Sequence, residues 1–453
     1  MFTFSELAQH SSRESCWVAI HGQVYDVTDF LNSHPGGVNS ILRWAGKDAT
    51  EEYEPLHPAG TIERYLPRQC QLGPIDLSTL PAVATVSNEA PQQPESVVMP
   101  LPTVMNLDDF EISAKKVINK RAWTYIHSAA DGLGSLNTNK GDWAKVSLRP
   151  RVLRDVTHVD MSRTIMGQKS ALPFFIAPAA MARLAHPDGE LCLARGAAHH
   201  DIPYCVSSYS SISHEDIATE IKSYGTGNRG CLTFQLYVAH QKEETLKRIE
   251  MARSLGYKAL AITVDTAVVG KREEDERYKA ELDIQAGTGN SSDLPQASNI
   301  HLPTAAERPV LRGVHSSTLK WSDLTWIREA WGDSGPVFIK GVQSAEDAKL
   351  AYDIGLDGIY LSNHGGRQID DGPSSIRTLL EIRRFCPEVL SGNMQVYMDG
   401  GCRRGADIIK ALALGATAVG MGRPFLYALG GYGTEGVIKA IQRKCSRILR
   451  NTC

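Results

Sequence analysis

The chain has 453 residues, with 48 Lys or Arg against 51 Asp or Glu and a formal net charge of −3. This balance provides no broad basic surface for nucleic acid or an anionic membrane, and no apolar run is long enough to span a membrane. The length corresponds to about three ordinary domains, or fewer if one is a barrel. Its nine cysteines include no Cys-x-x-Cys pair, so we expect reduced thiols and no zinc site.

A first module is predicted for residues 1–73, because residues 34–37 read His-Pro-Gly-Gly and a second histidine, His57, follows 23 residues after His34. Two neutral imidazoles that approach from opposite sides give a six-coordinate haem iron with no open position for oxygen. His34 and His57 therefore predict an electron carrier. The segment resembles cytochrome b5, and this similarity implies haem b.

Residues 74–104 are rich in Pro, Ser, Gln and small residues, without a period. Such a segment buries little surface and forms a flexible tether. We therefore expect a linker between the haem module and a second module at residues 105–453.

The second module opens with one predicted helix over 107–125, followed by alternating strand-like and helix-like segments. Alternation of this kind is typical of an α/β fold with parallel strands, here a (β/α)8 TIM barrel preceded by a small α+β module. The predicted strands are 173–180, 204–208, 231–237, 259–265, 336–342, 358–363, 395–401 and 418–424. Helices are predicted over 189–198 and 242–255, among others.

One stretch carries the clearest chemistry: residues 362–368 read Ser-Asn-His-Gly-Gly-Arg-Gln and follow an apolar strand. The carboxyl ends of barrel strands are where such enzymes place their active sites. A neutral imidazole takes a proton near pH 7, and a guanidinium holds a carboxylate through two parallel hydrogen bonds. His364 and Arg367 therefore predict a site for a small hydroxy acid.

Most of the other predicted strands also end in polar or glycine-rich residues. The first predicted strand ends in Pro178, Ala179 and Ala180, where backbone groups could approach a flat ring. The polar and glycine residues are, in chain order, Ser207; Gln235 and Tyr237; Thr263 and Asp265; Lys340; Asp399, Gly400, Gly401 and Arg403; and Gly422 and Arg423. Loops after the seventh and eighth strands of such barrels commonly bind phosphate through backbone N–H groups. The two arginines beside these glycines predict a phosphate site.

These motifs, with Leu-Arg-Pro-Arg-Val-Leu-Arg-Asp-Val-Thr-His-Val-Asp at 148–160, resemble the FMN-dependent L-2-hydroxy acid oxidases and dehydrogenases over roughly three quarters of the chain. The resemblance implies FMN. It assigns the flavin ring to Ser207, Gln235, Thr263 and Lys340, with Pro178, Ala179 and Ala180 against its plane, and the ribityl phosphate to Asp399, Gly400, Gly401, Arg403, Gly422 and Arg423.

The same resemblance implies the substrate residues. His364 would be the base and Asp265 would accept its hydrogen bond, while Tyr237 would meet the substrate hydroxyl. Tyr125, Arg272 and Arg367 would address the carboxylate, and Lys340 would stabilise the reduced flavin. We expect Tyr209 to face the substrate side chain, and residues 281–308 to form a long loop over the site.

Together the modules resemble L-lactate dehydrogenases of the flavocytochrome b2 type. We therefore expect oxidation of an L-2-hydroxy acid, with L-lactate to pyruvate first, and electrons passing from FMN through the haem to a cytochrome c-type acceptor. The alternatives are a glycolate, mandelate or long-chain 2-hydroxy acid enzyme, or a haem electron-transfer protein with an inactive barrel.

Location and assembly follow less directly. The N terminus has neither a signal peptide nor an Arg-rich transit peptide, which favours the cytoplasm, with the mitochondrial intermembrane space as the alternative. The family resemblance implies a homotetramer. Because the chain stops at Cys453 without the long tail that often helps assembly in the family, the oligomeric state is left open.

Overall fold

A computed structural model describes residues 1–79, 98–224, 230–286 and 315–451, with the backbone alone at 444–451. The described residues fall into two compact units. One comprises 1–79 and 276–286, and the other comprises 98–224, 230–275 and 315–451.

The strands of the described residues are β1 Trp17–Ile20, β2 Gln23–Asp26, β3 Gln71–Pro74, β4 Arg163–Ile165, β5 Gln168–Ser170, β6 Phe174–Ile176, β7 Pro203–Ser207, β8 Cys231–Leu236, β9 Leu260–Thr263, β10 Val337–Val342, β11 Gly358–Leu361, β12 Gln395–Met398 and β13 Ala418–Met421. The α-helices are α1 Phe4–Ala8, α2 Val38–Leu42, α3 Thr50–Tyr53, α4 Thr61–Tyr65, α5 Leu107–Val117, α6 Lys120–His127, α7 Gly134–Gly141, α8 Glu190–His199, α9 His214–Ser223, α10 Lys242–Ser254, α11 Glu273–Gln285, α12 Asp323–Trp331, α13 Ala345–Asp353, α14 Ser375–Phe385, α15 Glu388–Ser391, α16 Gly405–Leu414 and α17 Arg423–Asn451.

In the first unit, β1, β2 and β3 form an antiparallel sheet in that order. Apolar residues of β1 and β2 are buried and form two small clusters with α1 and the segments around α2. The chain stays packed beyond β3, because Ile75 is 3% exposed. The helices α2 and α3 lie close in sequence to the two histidines, one after the 3-10 turn Leu31–Ser33 and one after α3.

The second unit is a closed barrel of eight parallel strands, β6 to β13 in sequential order around the ring. The fold prediction is confirmed, and each predicted strand overlaps an observed one. Most observed strands end earlier than predicted, since the polar residues that follow leave the hydrogen-bonded ladder. Phe175, Cys205, Phe338 and Tyr360 belong to one buried cluster, so the barrel is a packed core and its carboxyl end carries the site.

Two local predictions are wrong at their boundaries. The single helix predicted over 107–125 is two helices, α5 and α6, because the Asn119 side chain caps α6 by accepting a hydrogen bond from Ala122 N at 2.8 Å. The loop predicted from residue 281 begins later, since α11 continues to Gln285. Residues 287–308 of that loop lie outside the described residues. The helices predicted over 189–198 and 242–255 are confirmed by α8 and α10.

Residues 80–97 of the predicted linker also lie outside the described residues. On its far side, Val104 is fully buried in the core of the barrel unit. Within the described ranges, no helix is both long and apolar enough to cross a membrane. The seven cysteines that the structure describes are all free thiols.

Candidate active site and haem site

The two histidines of the first unit face each other across a gap. Their ring centroids lie 6.1 Å apart, with the planes inclined by 40°. Two imidazoles that bind one iron from opposite sides, with metal–nitrogen bonds of roughly 2 Å, place their centroids roughly 6 Å apart. The spacing of His34 and His57 therefore fits a haem iron between them.

Hydrogen bonds orient both rings. His57 Nδ1 donates to the Tyr53 carbonyl at 3.0 Å, and the Tyr53 ring stacks on the imidazole at 4.2 Å. His34 Nδ1 lies 3.0 Å from Ser40 Oγ and 3.4 Å from the Gly37 carbonyl. Since Nδ1 is engaged in each ring, Nε2 would be the nitrogen that binds the haem iron in both.

A substitution at one ligand tests this site. In His57→Ala we expect the purified protein to lose its haem and keep its flavin, because the two groups belong to separate units. The haem-to-flavin ratio is read from absorbance. The matched control is His21→Ala, since His21 also contacts the Tyr53 ring but is half exposed and lies outside the pair. A bis-histidine haem spectrum in His57→Ala would show that the ligands are assigned wrongly.

At the carboxyl end of the barrel, three residues from different strand ends meet. His364 Nδ1 lies 3.0 Å from Asp265 Oδ1, which gives the bond predicted between them. His364 Nε2 lies 3.3 Å from the Tyr237 hydroxyl. The Asp265 side chain is 2% exposed and that of His364 is 19% exposed. The carboxylate is therefore buried, while the imidazole remains accessible to a substrate.

Burial and neighbouring charges set the protonation states of Asp265 and His364. Burial alone would raise the pKa of Asp265, but the His364 imidazole, with Lys340 and the Thr266 hydroxyl, holds it at about 2. Burial lowers the pKa of His364, and the neighbouring carboxylate only partly opposes this. The imidazole is therefore neutral at pH 7 and able to accept a proton.

These shifts predict a pH profile. As pH falls, kcat/KM should decline only when His364 becomes protonated, so the acid limb should lie below the ordinary imidazole pKa of about 6.5. Asp265 stays ionised throughout that range. Asp265→Asn removes the charge that raises the pKa of His364, so it should move the acid limb to lower pH and reduce kcat roughly 10- to 100-fold. An acid limb that stayed in place would contradict the coupling.

The Gly-Gly pair of the motif has a steric origin. His364, Gly365 and Gly366 have φ angles of +58°, +67° and +77°, in the left-handed region that favours glycine. A Cβ on Gly366 would lie 2.7 Å from Leu136 N, and one on Gly365 would lie 2.8 Å from Arg423 Nη1. The tight turn that presents His364 therefore requires both glycines.

Two arginines supply positive charge beside the base. Arg367 Nη1 donates to the carbonyls of Tyr125 at 2.9 Å and Ser128 at 2.7 Å, and its guanidinium lies 5.2 Å from the centroid of the Tyr125 ring. Burial, and then the charge of Arg272, lowers the pKa of Arg367 to about 9. Among the described residues, the buried Nε of Arg272 has no hydrogen-bond partner. These two cations fit the carboxylate of a substrate.

The residues predicted to hold the flavin ring are all buried and hydrogen-bonded. Lys340 is 4% exposed, and its Nζ lies 3.1 Å from Ser362 Oγ and 3.9 Å from Asp399 Oδ2. Gln235 Nε2 donates to Thr263 Oγ1 at 2.9 Å. The Ser207 hydroxyl accepts from the backbone N–H of Tyr209 at 3.2 Å. A buried ammonium beside these hydroxyl and amide groups fits a ring that gains negative charge.

The two arginines predicted to bind the phosphate, Arg423 and Arg403, contact different kinds of group. Arg423 donates to the carbonyls of Ile126, Gly365 and Ser128 at 2.8 to 2.9 Å. Arg403 forms ion pairs with Asp108 at 3.5 Å and Glu111 at 3.6 Å, while its buried Nε has no hydrogen-bond partner among the described residues.

The remaining residues predicted to bind FMN are three glycines and the segment that follows β6. A Cβ on Gly401 would lie 1.8 Å from the backbone carbonyl oxygen of Asn139, so Gly401 permits close packing of α7. A Cβ on Gly400 would lie 3.3 Å from the Asn139 side chain. A Cβ on Gly422 would meet open space. Pro178, Ala179 and Ala180 follow β6 and are partly exposed. The buried Ser208 Oγ has no hydrogen-bond partner among the described residues, so it is available to a polar group such as the FMN ring.

Sequence reasoning missed three contributors. Ser362 Oγ is hydrogen-bonded to both Lys340 and Asp399. Because Ser362 is the first residue of the central motif, its position in the sequence could have indicated this role. Thr266 donates to Asp265 Oδ1 at 2.8 Å. His315 stacks on Tyr237 with centroids 4.1 Å apart, and no motif surrounds it in the sequence.

The parallel barrel carries a histidine–carboxylate pair, two arginines and a set of buried groups suited to a flavin. The first unit carries the bis-histidine site. Together these features define a flavohaem oxidoreductase that acts on 2-hydroxy acids. The chain belongs to the FMN-dependent dehydrogenase family, whose sequence model matches residues 114–447. The model of the cytochrome b5-like haem/steroid binding domain matches residues 3–76. The cofactors of this protein are accordingly FMN and haem b.

Two relatives match nearly the whole chain, across both modules. The chain is 38% identical to L-lactate dehydrogenase (cytochrome) of Wickerhamomyces anomalus over 439 residues, which is 96% of this chain and 74% of that protein. The corresponding Saccharomyces cerevisiae protein is 35% identical over 452 residues, 97% and 74% of the two chains. Glycolate oxidase of Spinacia oleracea is 36% identical over 339 residues, covering 75% of this chain and 88% of that one.

Solved structures of flavin-dependent enzymes have a similar fold. The flavin-binding domain of baker's yeast flavocytochrome b2 matches with a TM-score of 0.69 and 32% identity, covering 79% of this chain and 84% of that one. Lactate oxidase of Pediococcus acidilactici matches with a TM-score of 0.65 and 29% identity, covering 77% and 89%.

Proposed function

We propose that this protein oxidises L-lactate to pyruvate and passes the electrons to a cytochrome c-type acceptor. The observation that carries the proposal is the alignment of Tyr237, His364 and Asp265 beside the guanidinium groups of Arg367 and Arg272. A short 2-hydroxy acid offers a carboxylate for the cations and a hydroxyl-bearing carbon for the base. The names of the curated relatives that share both modules support lactate as substrate and a cytochrome as acceptor.

Each residue has a physical task. Arg367 and Arg272, with Tyr125, bind the carboxylate, and the Tyr237 hydroxyl orients the substrate hydroxyl. His364 Nε2 takes a proton from the substrate, whether carbon–hydrogen cleavage resembles a carbanion or a hydride step. The Asp265 carboxylate stabilises the imidazolium that results. FMN, held at Ser207, Gln235, Thr263 and Lys340, would supply the two-electron oxidant, and haem b, held by His34 and His57, would supply one-electron transfer to the acceptor.

The proposal includes the organisation of the chain. Residues 1–73 form the haem module and 105–453 the flavin module, and residues 74–104 connect the two. The proposal extends to a possible homotetramer, which the family resemblance supports.

The substrate is tested by anaerobic mixing of the holoprotein with L-lactate, D-lactate, glycolate and L-mandelate, with flavin and haem absorbance followed separately. We expect L-lactate to bleach the flavin and reduce the haem fastest, and D-lactate to do neither. Preferential bleaching by glycolate or mandelate would move the substrate to one of the alternatives. No bleaching by any 2-hydroxy acid would indicate an inactive barrel.

A further inference from the structure

Gln368, the last residue of the central motif, has none of the roles assigned above. It follows Arg367 directly, lies four residues after His364, and is 9% exposed. Its side chain contacts residues 264–272, the segment between β9 and α11, which we call the β9 loop. This loop has Asp265 near one end and Arg272 at the other.

The Gln368 amide makes hydrogen bonds to three backbone groups of the β9 loop. Nε2 donates to the carbonyls of Asp265 at 2.6 Å and Val268 at 2.9 Å, and Oε1 accepts from Gly270 N at 3.3 Å. The carbonyls can only accept and the N–H can only donate, so one orientation of the amide satisfies all three groups. Both hydrogens of Nε2 are used.

The backbones of the loop and the motif also touch. A Cβ on Gly270 would lie 2.4 Å from the carbonyl oxygens of both Arg367 and Gln368. In the middle of the loop, Val268 and Val269 are 45% and 48% exposed. Because these apolar residues bury little surface, the position of the loop depends on its hydrogen bonds and on this close backbone contact.

Two functional pairs join the same two segments. Asp265 of the loop bonds to His364 of the motif at 3.0 Å. Arg272 of the loop lies near Arg367 of the motif, because its charge adds to burial in lowering the pKa of that guanidinium. A shift of the loop along the motif would therefore misalign the base and the carboxylate site together.

We propose that Gln368 is a positioning residue of the active site: its amide fixes the β9 loop against the central motif, so that Asp265 faces His364 and Arg272 lies beside Arg367. The inference rests on the proposed function, because it concerns how the same base and cations are aligned. Gln368 acts through Asp265 and Arg272.

The first test is kinetic, on the full-length holoprotein. Gln368→Met keeps the length of the side chain and removes all three hydrogen bonds. We expect kcat/KM for L-lactate, measured by anaerobic flavin reduction, to fall roughly 10- to 100-fold, as a displacement of about 1 Å in an active site would cause. KM should rise as kcat falls, because Arg272 and Asp265 are both displaced.

The acid limb of kcat/KM separates positioning from a general loss of structure. Burial lowers the pKa of His364, the Asp265 carboxylate raises it, and Lys340 and then Arg272 lower it by smaller amounts. Displacing the carboxylate lowers the pKa, so the limb should move to lower pH in Gln368→Met, as in Asp265→Asn. In the Asp265→Asn background, Gln368→Met should give no further shift, because both changes act on one interaction.

Amide hydrogen exchange tests the same inference without turnover. Gln368→Met should raise exchange in peptides covering 264–272 and leave those covering 163–170 unchanged. Gln395→Met is the matched control, because Gln395 also binds backbone groups, Met166 N at 3.2 Å and the Thr164 carbonyl at 3.4 Å, but stands at the start of β12. It should raise exchange at 163–170 and leave kcat/KM and the acid limb unchanged.

FMN and haem content identify a variant that does not fold. Gln368→Glu, which sets a carboxylate oxygen against the Asp265 and Val268 carbonyls, then carries the comparison and should lower kcat/KM at least as much. Wild-type exchange at 264–272, an acid limb that stays in place, or a further shift in the double variant would overturn the proposal. Failure of the proposed function is separate: L-lactate would then not reduce the wild-type flavin, while exchange at 264–272 would still show whether Gln368 fixes the loop.

Discussion

Replacing His364 by Gln should lower the rate of flavin reduction by L-lactate roughly 100- to 10,000-fold, the range that general acid–base catalysis contributes. The Gln amide can hydrogen-bond to Tyr237 and Asp265, but it cannot accept a proton near pH 7. The loss should fall mainly on kcat, because the carboxylate-binding arginines remain in place. Stopped-flow absorbance of the flavin measures it.

A chemical reductant separates loss of the base from loss of the cofactors. Dithionite should reduce both FMN and haem in His364→Gln as it does in wild type. His214→Gln serves as a control for the loss of a buried histidine in the same unit. Flavin reduction by lactate at the wild-type rate in His364→Gln would show that another group is the base.

Arg367→Lys should weaken transition-state stabilisation by about 2–4 kcal/mol, which corresponds to roughly 30- to 1,000-fold in kcat/KM. Lysine keeps the charge but loses the planar fork that binds a carboxylate through two bonds. It also loses the geometry with which Nη1 donates to the Tyr125 and Ser128 carbonyls. Both KM and kcat should therefore change.

Arg377→Lys is the matched control, because Arg377 is half exposed and pairs with Asp142 outside the site. Its kinetics should equal those of wild type. If Arg367→Lys also behaved as wild type, the carboxylate would be held by Arg272 and Tyr125 without Arg367.

The barrel could be predicted from sequence because strands such as β7, β9, β11 and β13 are buried along their whole length. Full burial produces short apolar runs, and the polar residues after each run mark the carboxyl end of the barrel. The meeting of His364 with Tyr237 and Asp265, which lie 127 and 99 residues away, then follows from closure of the barrel.

Other features could not be read from the sequence for physical reasons. The helix α11 has no buried residue, so its sequence carries no apolar period and reads as a run of charges. His315 lies 106 residues from Tyr209, and only the folded loops bring them together. The ion pairs of Arg403 with Asp108 and Glu111 likewise depend on where α5 docks.

The central claim is that electrons pass from the substrate through FMN to haem within one chain. It is tested most directly by mixing wild-type protein with L-lactate in a stopped-flow instrument and following flavin and haem at separate wavelengths. We predict that flavin bleaching precedes haem reduction, and that His57→Ala bleaches its flavin at the wild-type rate with no haem signal. Haem reduction that ran ahead of the flavin, or that proceeded at the wild-type rate in His364→Gln, would contradict this order of electron flow.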